Sequence, residues 1–314
     1  MTLLAREELA RAAPGRETAI AVGVFDGVHR GHQYIIGELK ARAMVRRLAS
    51  GVVTFHPLPV SVLRPQSRVA YLTSLDERVE LLRGTGVDFV APITFTSELA
   101  QLSARDFIGM LVEELRMKFM LAGPDFVLGR GREGTAAARQ ELGEEMGFEH
   151  EVLGAYLEAS GVVSSTAVRD ALKAGDMERV KRLLGRPFSL RGPVLHGADR
   201  GASIGFPTAN IGVAPDRALP PFGVYVTRAY VPTRRGGRRQ RQFMSVTNIG
   251  RRPTFDDGER TVEVHVMDFE GDIYGWELRI ELLGRLRDEM RFAGAKELRA
   301  QIRKDVAAAR RFLS

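Results

Sequence analysis

The sequence predicts two domains of different class: an α/β domain on a doubly wound parallel sheet, then a small antiparallel β sandwich or barrel closed by a helix. Three observations carry this. Residues 1–185 alternate apolar, strand-like runs with helix-like stretches. Beyond residue 186 the helical spacing gives way to short strand-like runs between glycine and proline turns. A chain of 314 residues, 44% of them hydrophobic, has the length and the apolar content for two cores.

The first half reads strand by strand. AIAVGVFDG (19–27) is a buried strand, and a helix follows from His29 to Arg47. GVVTFHP (51–57) is the second strand, and SLDERVELLRGTG (74–86) a helix ending in glycines. DFVAPITF (88–95) is the third strand, SARDFIGMLVEELR (103–116) a capped helix, FMLAGPDFVLG (119–129) the fourth strand and GTAAARQELGEEMG (134–147) a helix. A short helix, DMERVKRLLG (176–185), leads into the second half. There GVYVTRAYV (223–231), FMSVTNIG (243–250), TVEVHVMDF (261–269) and WELRIELL (276–283) read as strands, with period-two alternation in TVEVHV. AKELRAQIRKDVAAARRFL reads as the last helix, and no internal repeat is visible.

Composition narrows the chemistry. With no cysteine, disulfides, zinc-thiolate sites and cysteine nucleophiles are excluded. MTLLAREELARAAPGR is broken by charges and does not read as a signal peptide, and no apolar run is long enough to cross a bilayer. A cytoplasmic protein with no membrane partner is expected. The net charge of +7 favours anionic partners: nucleic acid, nucleotides or phosphorylated metabolites.

GVFDGVHRGH (23–32) lies at the carboxyl end of the first strand, where ligands of such sheets bind. His29 and His32 share one face of the helix start, where backbone N–H groups attract anions. Alone, the pair fits surface histidines equally well. GVVSSTAVRDAL (161–172) places Ser164, Ser165 and Thr166 at a helix start and Arg169 one turn in, as a cap or a phosphate site. The strand–HxGH–helix unit with this later Ser/Thr and Arg motif resembles the HxGH nucleotidyltransferases. GRGREG (129–134) also fits G-x-G-x-x-G, but it follows the fourth strand and carries Arg and Glu between its glycines, so it is not read as a dinucleotide fingerprint.

In the second half, Thr208 and Asn210 of GFPTANI are two apart and face one way in an extended segment, offering oxygens suited to Mg²⁺. A polar turn is the alternative. No GxxxxGK[ST] loop exists, so a kinase here is not of the P-loop type. Glu263 and His265 share the face of TVEVHV opposite Val262, Val264 and Val266. Glu263 is either a solvent-facing side chain or a carboxylate able to deprotonate an attacking hydroxyl. The arginines 234, 235, 238, 239 and 241 read as a solvated hairpin tip; without interleaved aromatics, nucleic acid is not an expected partner.

The chain resembles the prokaryotic bifunctional riboflavin kinase/FMN adenylyltransferases, or FAD synthetases. The match runs in order through GVFDGVHRGHQ, VTFHPLP, GPDFVLGRGREG, SSTAVRDALKAGDMERVKRLLGRPF, GFPTANI, FGVYV, NIGRRPTF, EVHVMDFEGDIYG and LRDEMRF. The resemblance implies an HxGH adenylyltransferase domain (1–185) ahead of a β-barrel riboflavin kinase domain (186–314) with a final helix. It implies phosphorylation of riboflavin to FMN and adenylylation of FMN to FAD, with ATP and Mg²⁺ in both and small molecules as the partners; self-association is left open. By motif, Gly23, Phe25, Asp26, Gly27, His29, His32, Ser164, Ser165, Thr166 and Arg169 hold the adenylyltransferase ATP, with His29, His32 and Arg169 catalytic, neutralising charge on the leaving group. Phe55, Pro57, Pro59, Asp125 and Phe126 line its flavin. In the kinase, Gly197, Gly205, Pro207, Thr208 and Asn210 hold Mg–ATP, Glu263 is the base, and Arg287, Arg291 and Phe292 close over the flavin. Three features depart from the family: His56 and Leu58 where it reads Asp and His, Ala202 where a basic residue is common, and the Arg-rich loop.

Overall fold

The structure, a computed structural model, describes residues 2–158, 161–196, 205–237, 239–251 and 260–312. They form two compact units, Met1–Ser165 and Thr166–Ser314.

The first unit is built on a five-stranded parallel sheet of order β3-β2-β1-β4-β5. Its strands are β1 (Thr18–Gly23), β2 (Ala49–His56), β3 (Phe89–Thr94), β4 (Met117–Ala122) and β5 (Glu149–Val152). Its main helices are α1 (Leu3–Ala12), α2 (Arg30–Arg46), α3 (Pro59–Leu63), α4 (Leu75–Gly84), α5 (Ser97–Ala100), α6 (Ala104–Leu115) and α7 (Ala136–Met146). Strand alternation sends successive side chains to opposite faces. Ala19 and Ala21 pack with Ile36 and Leu39 of α2 and Leu82 of α4. Ile20 and Val22 pack with Leu9 of α1 and Ile108 and Leu111 of α6. The sheet is covered on both faces, as a doubly wound fold requires. Chain order reverses between β1 and β4, and a ligand crevice forms at the carboxyl ends of such a pair.

Two predicted strands end early. β1 stops at Gly23, because Phe25, Gly27 and Val28 turn at positive φ. β4 stops at Ala122 rather than running to residue 129. Gly123 and Pro124 follow, proline has no N–H for the ladder, and Phe126 N–H closes a turn on the Gly123 carbonyl at 3.2 Å. Two-residue strands β6 (Leu157–Glu158) and β7 (Gly161–Val162) pair with each other.

The second unit opens with α8 (Ser165–Lys173) and α9 (Met177–Leu184), the latter capped by Asp176 and ended by Gly185. A closed antiparallel barrel follows, of order β10-β11-β12-β9-β8-β13. Its strands are β8 (Phe188–Leu195), β9 (Ala209–Ile211), β10 (Gly223–Pro232), β11 (Gln240–Arg251), β12 (Arg260–Val266) and β13 (Glu277–Arg287). Closure leaves no strand edge exposed to pairing. The last helix, α10 (Ala295–Phe312), seats Val306 and Ala309 against Val224, Val226 and Val246. On the opposite face of β10, the Thr227 hydroxyl bonds those of Ser245 and Thr247, each at 2.7 Å, so these buried groups satisfy one another. At the β10–β11 tip Arg234, Arg235, Arg239 and Arg241 are exposed, as expected of a solvated hairpin; Arg238 lies outside the described residues.

Candidate active sites

The loop after β1 is held from beneath. The buried Asp26 carboxylate accepts the N–H groups of Leu72 and Thr73, each at 3.0 Å, and the Thr73 hydroxyl at 3.0 Å. The Thr73 hydroxyl oxygen in turn accepts Gly27 N–H at 3.1 Å. Arg78, also buried, lies 3.8 Å from Asp26 and donates to the carbonyls of Val24 (3.0 Å) and Phe55 (2.9 Å). Asp26 therefore shapes the turn with its carboxylate turned inward.

His29 is the N-cap of α2: its Nδ1 accepts His32 N–H at 3.3 Å. That bond assigns the neutral ring's proton to Nε2, a donor at a helix start. The rings of His29 and His32 stack at 3.6 Å, and Phe25 meets His32 edge-on at 5.0 Å. Burial first, and then the electrostatic influence of the adjoining His29 and of the Arg78 cation, holds the His32 imidazole well below its ordinary value. The glycine between them is required by space. A Cβ on Gly31 would lie 2.9 Å from the Val163 carbonyl oxygen and 3.1 Å from His29 Nδ1. Gly31→Ala is expected to push His29 aside and, if the adenylyltransferase resemblance of this loop holds, to cut adenylyl transfer by about a hundredfold while leaving any activity of the second unit unchanged; steady-state assays check it. The Ser165 hydroxyl donates to the Asp26 carbonyl at 2.9 Å, which joins the Ser-rich motif to this loop. Thr166, exposed, and Arg169, half-buried, follow on α8 in the second unit.

The residues read as lining the first flavin differ among themselves. Phe55 is a core side chain, its ring against Phe95 (5.5 Å) and Phe107 (6.1 Å). Leu58, where the family has histidine, is buried, and its N–H donates to the Tyr71 hydroxyl at 3.1 Å. Pro57 is half-buried, and Pro59 opens α3. Asp125 is exposed and Phe126 half-buried, on the loop leaving β4. The outer two glycines of GRGREG serve packing. A Cβ on Gly129 would meet the Ala104 nitrogen at 2.6 Å, and one on Gly134 the Leu128 carbonyl at 2.8 Å.

Arg139 of α7 is fully buried beneath that loop. It donates to the carbonyls of Phe126 (2.6 Å) and Gly134 (2.8 Å), and through Nε to His150 Nε2 (3.0 Å). Burial, and then the Arg139 charge, brings His150 down from 6.5 to about 4, so the native ring is neutral. The unfolded chain therefore binds the extra proton, and this stability is complete above pH 6.5 and is lost as pH falls toward 4. Urea unfolding of the first unit across that range is expected to show the loss, and His150→Gln to reduce it, the lowered His32 imidazole accounting for what is left.

In the barrel, Asn210 of β9 stands directly opposite Glu263 of β12, and Glu263 opposite Asn248 of β11. Opposed residues in antiparallel strands share a face, so an amide, a carboxylate and a second amide stand in a row. Val262, Val264 and Val266 take the other face and are buried. The GFPT approach is pinned to β12: His265 Nδ1 lies 2.9 Å from the Pro207 carbonyl, and its ring meets Phe206 at 5.3 Å. Thr208 and Pro207 border a cleft of about 400 Å³, walled by Val194, Phe269, Ile273 and Tyr274. Gly205 is exposed at positive φ, and Gly197 and Ala202 lie outside the described residues. Arg287 forks onto Asp305 of α10 (3.0 and 2.7 Å), with its guanidinium 6.0 Å from the Phe292 ring. Arg291 is exposed. The arginine of this trio nearest the barrel is thus committed to anchoring α10.

A family model described as FAD synthetase matches residues 12–167, and one described as riboflavin kinase matches 184–313. The bifunctional riboflavin kinase/FMN adenylyltransferase of Escherichia coli strain K12 is 38% identical, across 96% of this chain and 94% of its own. That of Bacillus subtilis is 35% identical, across 95% and 93%. The chain belongs to the bifunctional riboflavin kinase/FMN adenylyltransferase family. A crystal structure titled as a macrolide-efflux protein from Streptococcus pneumoniae is similar over 96% of both chains, with TM-score 0.85 and 29% identity. No described helix of the chain is long and apolar enough to cross a membrane. It is a transferase whose FAD synthetase region precedes its riboflavin kinase region, with ATP and flavins as substrates and products. Sequence reading missed Asn248 and the packing partners of His265; both depend on strand register, which no local pattern displays.

Proposed function

We propose that the His29–His32 loop holds the triphosphate of ATP for adenylylation of FMN, and that the Thr208–Asn210–Glu263 face joins ATP to riboflavin. In the first reaction an FMN phosphate oxygen attacks the α-phosphorus, the bond to the bridging oxygen breaks, and pyrophosphate leaves. His29 offers Nε2–H, the neutral His32 ring a second polar contact, and the helix start its N–H groups, so charge on the leaving pyrophosphate meets fixed dipoles. Ser164, Thr166 and Arg169 join this set on the strength of the motif, and Asp125 and Phe126 are the flavin-side residues. The domain boundary of this reading falls after residue 185.

In the second reaction the ribityl hydroxyl attacks the γ-phosphorus, Glu263 takes its proton and ADP leaves. Thr208 and Asn210 supply neutral oxygens, a donor set that fits a magnesium ion arriving with phosphates and water. Bound there, magnesium supplies neutralisation of triphosphate charge. The cleft beside Thr208 and Tyr274 takes the nucleoside end of ATP. On this reading the chain works in the cytoplasm, where ATP is at hand.

The observation that carries this reading is the register that sets Asn210 against Glu263. Riboflavin with ATP and Mg²⁺ is expected to give FMN and then FAD on chromatography. FMN without FAD would remove the first assignment, and neither product would remove both.

A further inference from the structure

Arg139 is a buried cation that neither proposed reaction uses. Among the described residues no carboxylate pairs with it, and its Nη2 has no hydrogen-bond partner. A charge without a counter-ion inside a protein is costly, and an apolar side chain of similar volume would fill the space with less penalty. What the guanidinium secures identifies its role. Two of its acceptors, the carbonyls of Phe126 and Gly134, bracket the loop after β4, and the third, His150, ties that loop to the edge strand β5. The same guanidinium lies 5.2 Å from the centre of the Phe126 ring. One side chain thus sets both the backbone and the ring of Phe126. The loop springs from the carboxyl end of β4, beside β1, where the order of the sheet reverses and the crevice opens.

We infer that Arg139 is a positioning residue for the flavin side of FMN adenylylation, acting through Phe126; this rests on the reading of Phe126 as a flavin-side residue. A guanidinium suits the task because its Nη1 holds both carbonyls while its Nε reaches His150 on the other side, two separated donors that the single ammonium of lysine does not reproduce.

The test measures KM for FMN and for ATP separately, with riboflavin kinase activity as an internal control, in full-length Arg139→Met, Arg139→Lys, Phe126→Ala and the Arg139→Met/Phe126→Ala double variant. Arg139→Met and Arg139→Lys are expected to raise KM for FMN about tenfold, with KM for ATP and kinase activity within about twofold. Once Phe126 is truncated, removing Arg139 is expected to add nothing, because both changes break one coupling. If Phe126→Ala raises KM for FMN and the Arg139 variants do not, this inference fails and the flavin reading stands. If both KM values rise together, or the double variant shows the sum of its parts, Arg139 is structural only and the inference fails. If Phe126→Ala leaves KM for FMN unchanged, the flavin reading falls and takes the inference with it. Should the Arg139 variants not fold, His150→Leu removes one acceptor and keeps the arginine. It is expected to raise KM for FMN about threefold, and no change would overturn the proposal.

Discussion

Replacing His29 with alanine is expected to lower FMN adenylylation by about two to three orders of magnitude, with riboflavin phosphorylation unchanged. Two functions are lost at once. The Nε2–H donor disappears from the place where pyrophosphate charge develops, and in a preorganised site one such donor is worth about 3 kcal/mol. The α2 cap disappears too, because His29 Nδ1 no longer accepts His32 N–H, a loss of about 1 kcal/mol in helix stability. His29→Asn separates the two. Asparagine caps a helix well but ends short of the imidazole's Nε2, so helix stability is expected to recover while the rate does not. Pyrophosphate release from FMN and ATP reads the rate, and thermal unfolding reads the cap.

Glu263→Gln is expected to do the reverse. Glutamine keeps the size of the side chain and its place opposite Asn210 and Asn248, yet it takes no proton. Loss of a general base costs about 10²–10⁴ in rate. The kcat for riboflavin phosphorylation falls by that factor with KM for ATP little changed, because the nucleotide contacts assigned to Thr208 and the adjoining cleft are untouched. Supplied with FMN, the same variant is expected to make FAD at the normal rate. ADP release with riboflavin, and pyrophosphate release with FMN, check the two halves.

The parallel domain was legible because four of its five strands are largely apolar runs and helices such as α4 and α6 carry caps, Ser74 with Glu77 and Ser103 with Asp106; the edge strand β5, Glu149–Val152, was missed because it is mostly charged and polar. Strand ends were less so: Phe25 and Val28 turn at positive φ without being glycine, and only the buried Asp26 carboxylate beneath them explains why. β8 and β9 were missed, one because Gly192 and Pro193 interrupt its pattern, the other because it has three residues. The outward face of β12 was plain from its alternating valines, but that Asn210 lies across from Glu263 was not, since register between distant segments leaves no local trace. Phe55 shows the converse: an aromatic on a strand signals burial without saying against what, and its partners are Phe95 and Phe107. An arginine in a helix reads as a solvated face, so the buried Arg139 was hidden.

The central claim is that one chain carries two chemically separate phosphate-transfer sites, one around His29 and one around Glu263. Mixing the His29→Ala and Glu263→Gln proteins in one tube with riboflavin, ATP and Mg²⁺ tests it most directly. Each protein alone is expected to stop short of FAD, one accumulating FMN and the other leaving riboflavin. The mixture is expected to produce FAD, as FMN released by one is adenylylated by the other. A mixture that makes no FAD, from two proteins that each retain their other activity on supplied substrate, would contradict it.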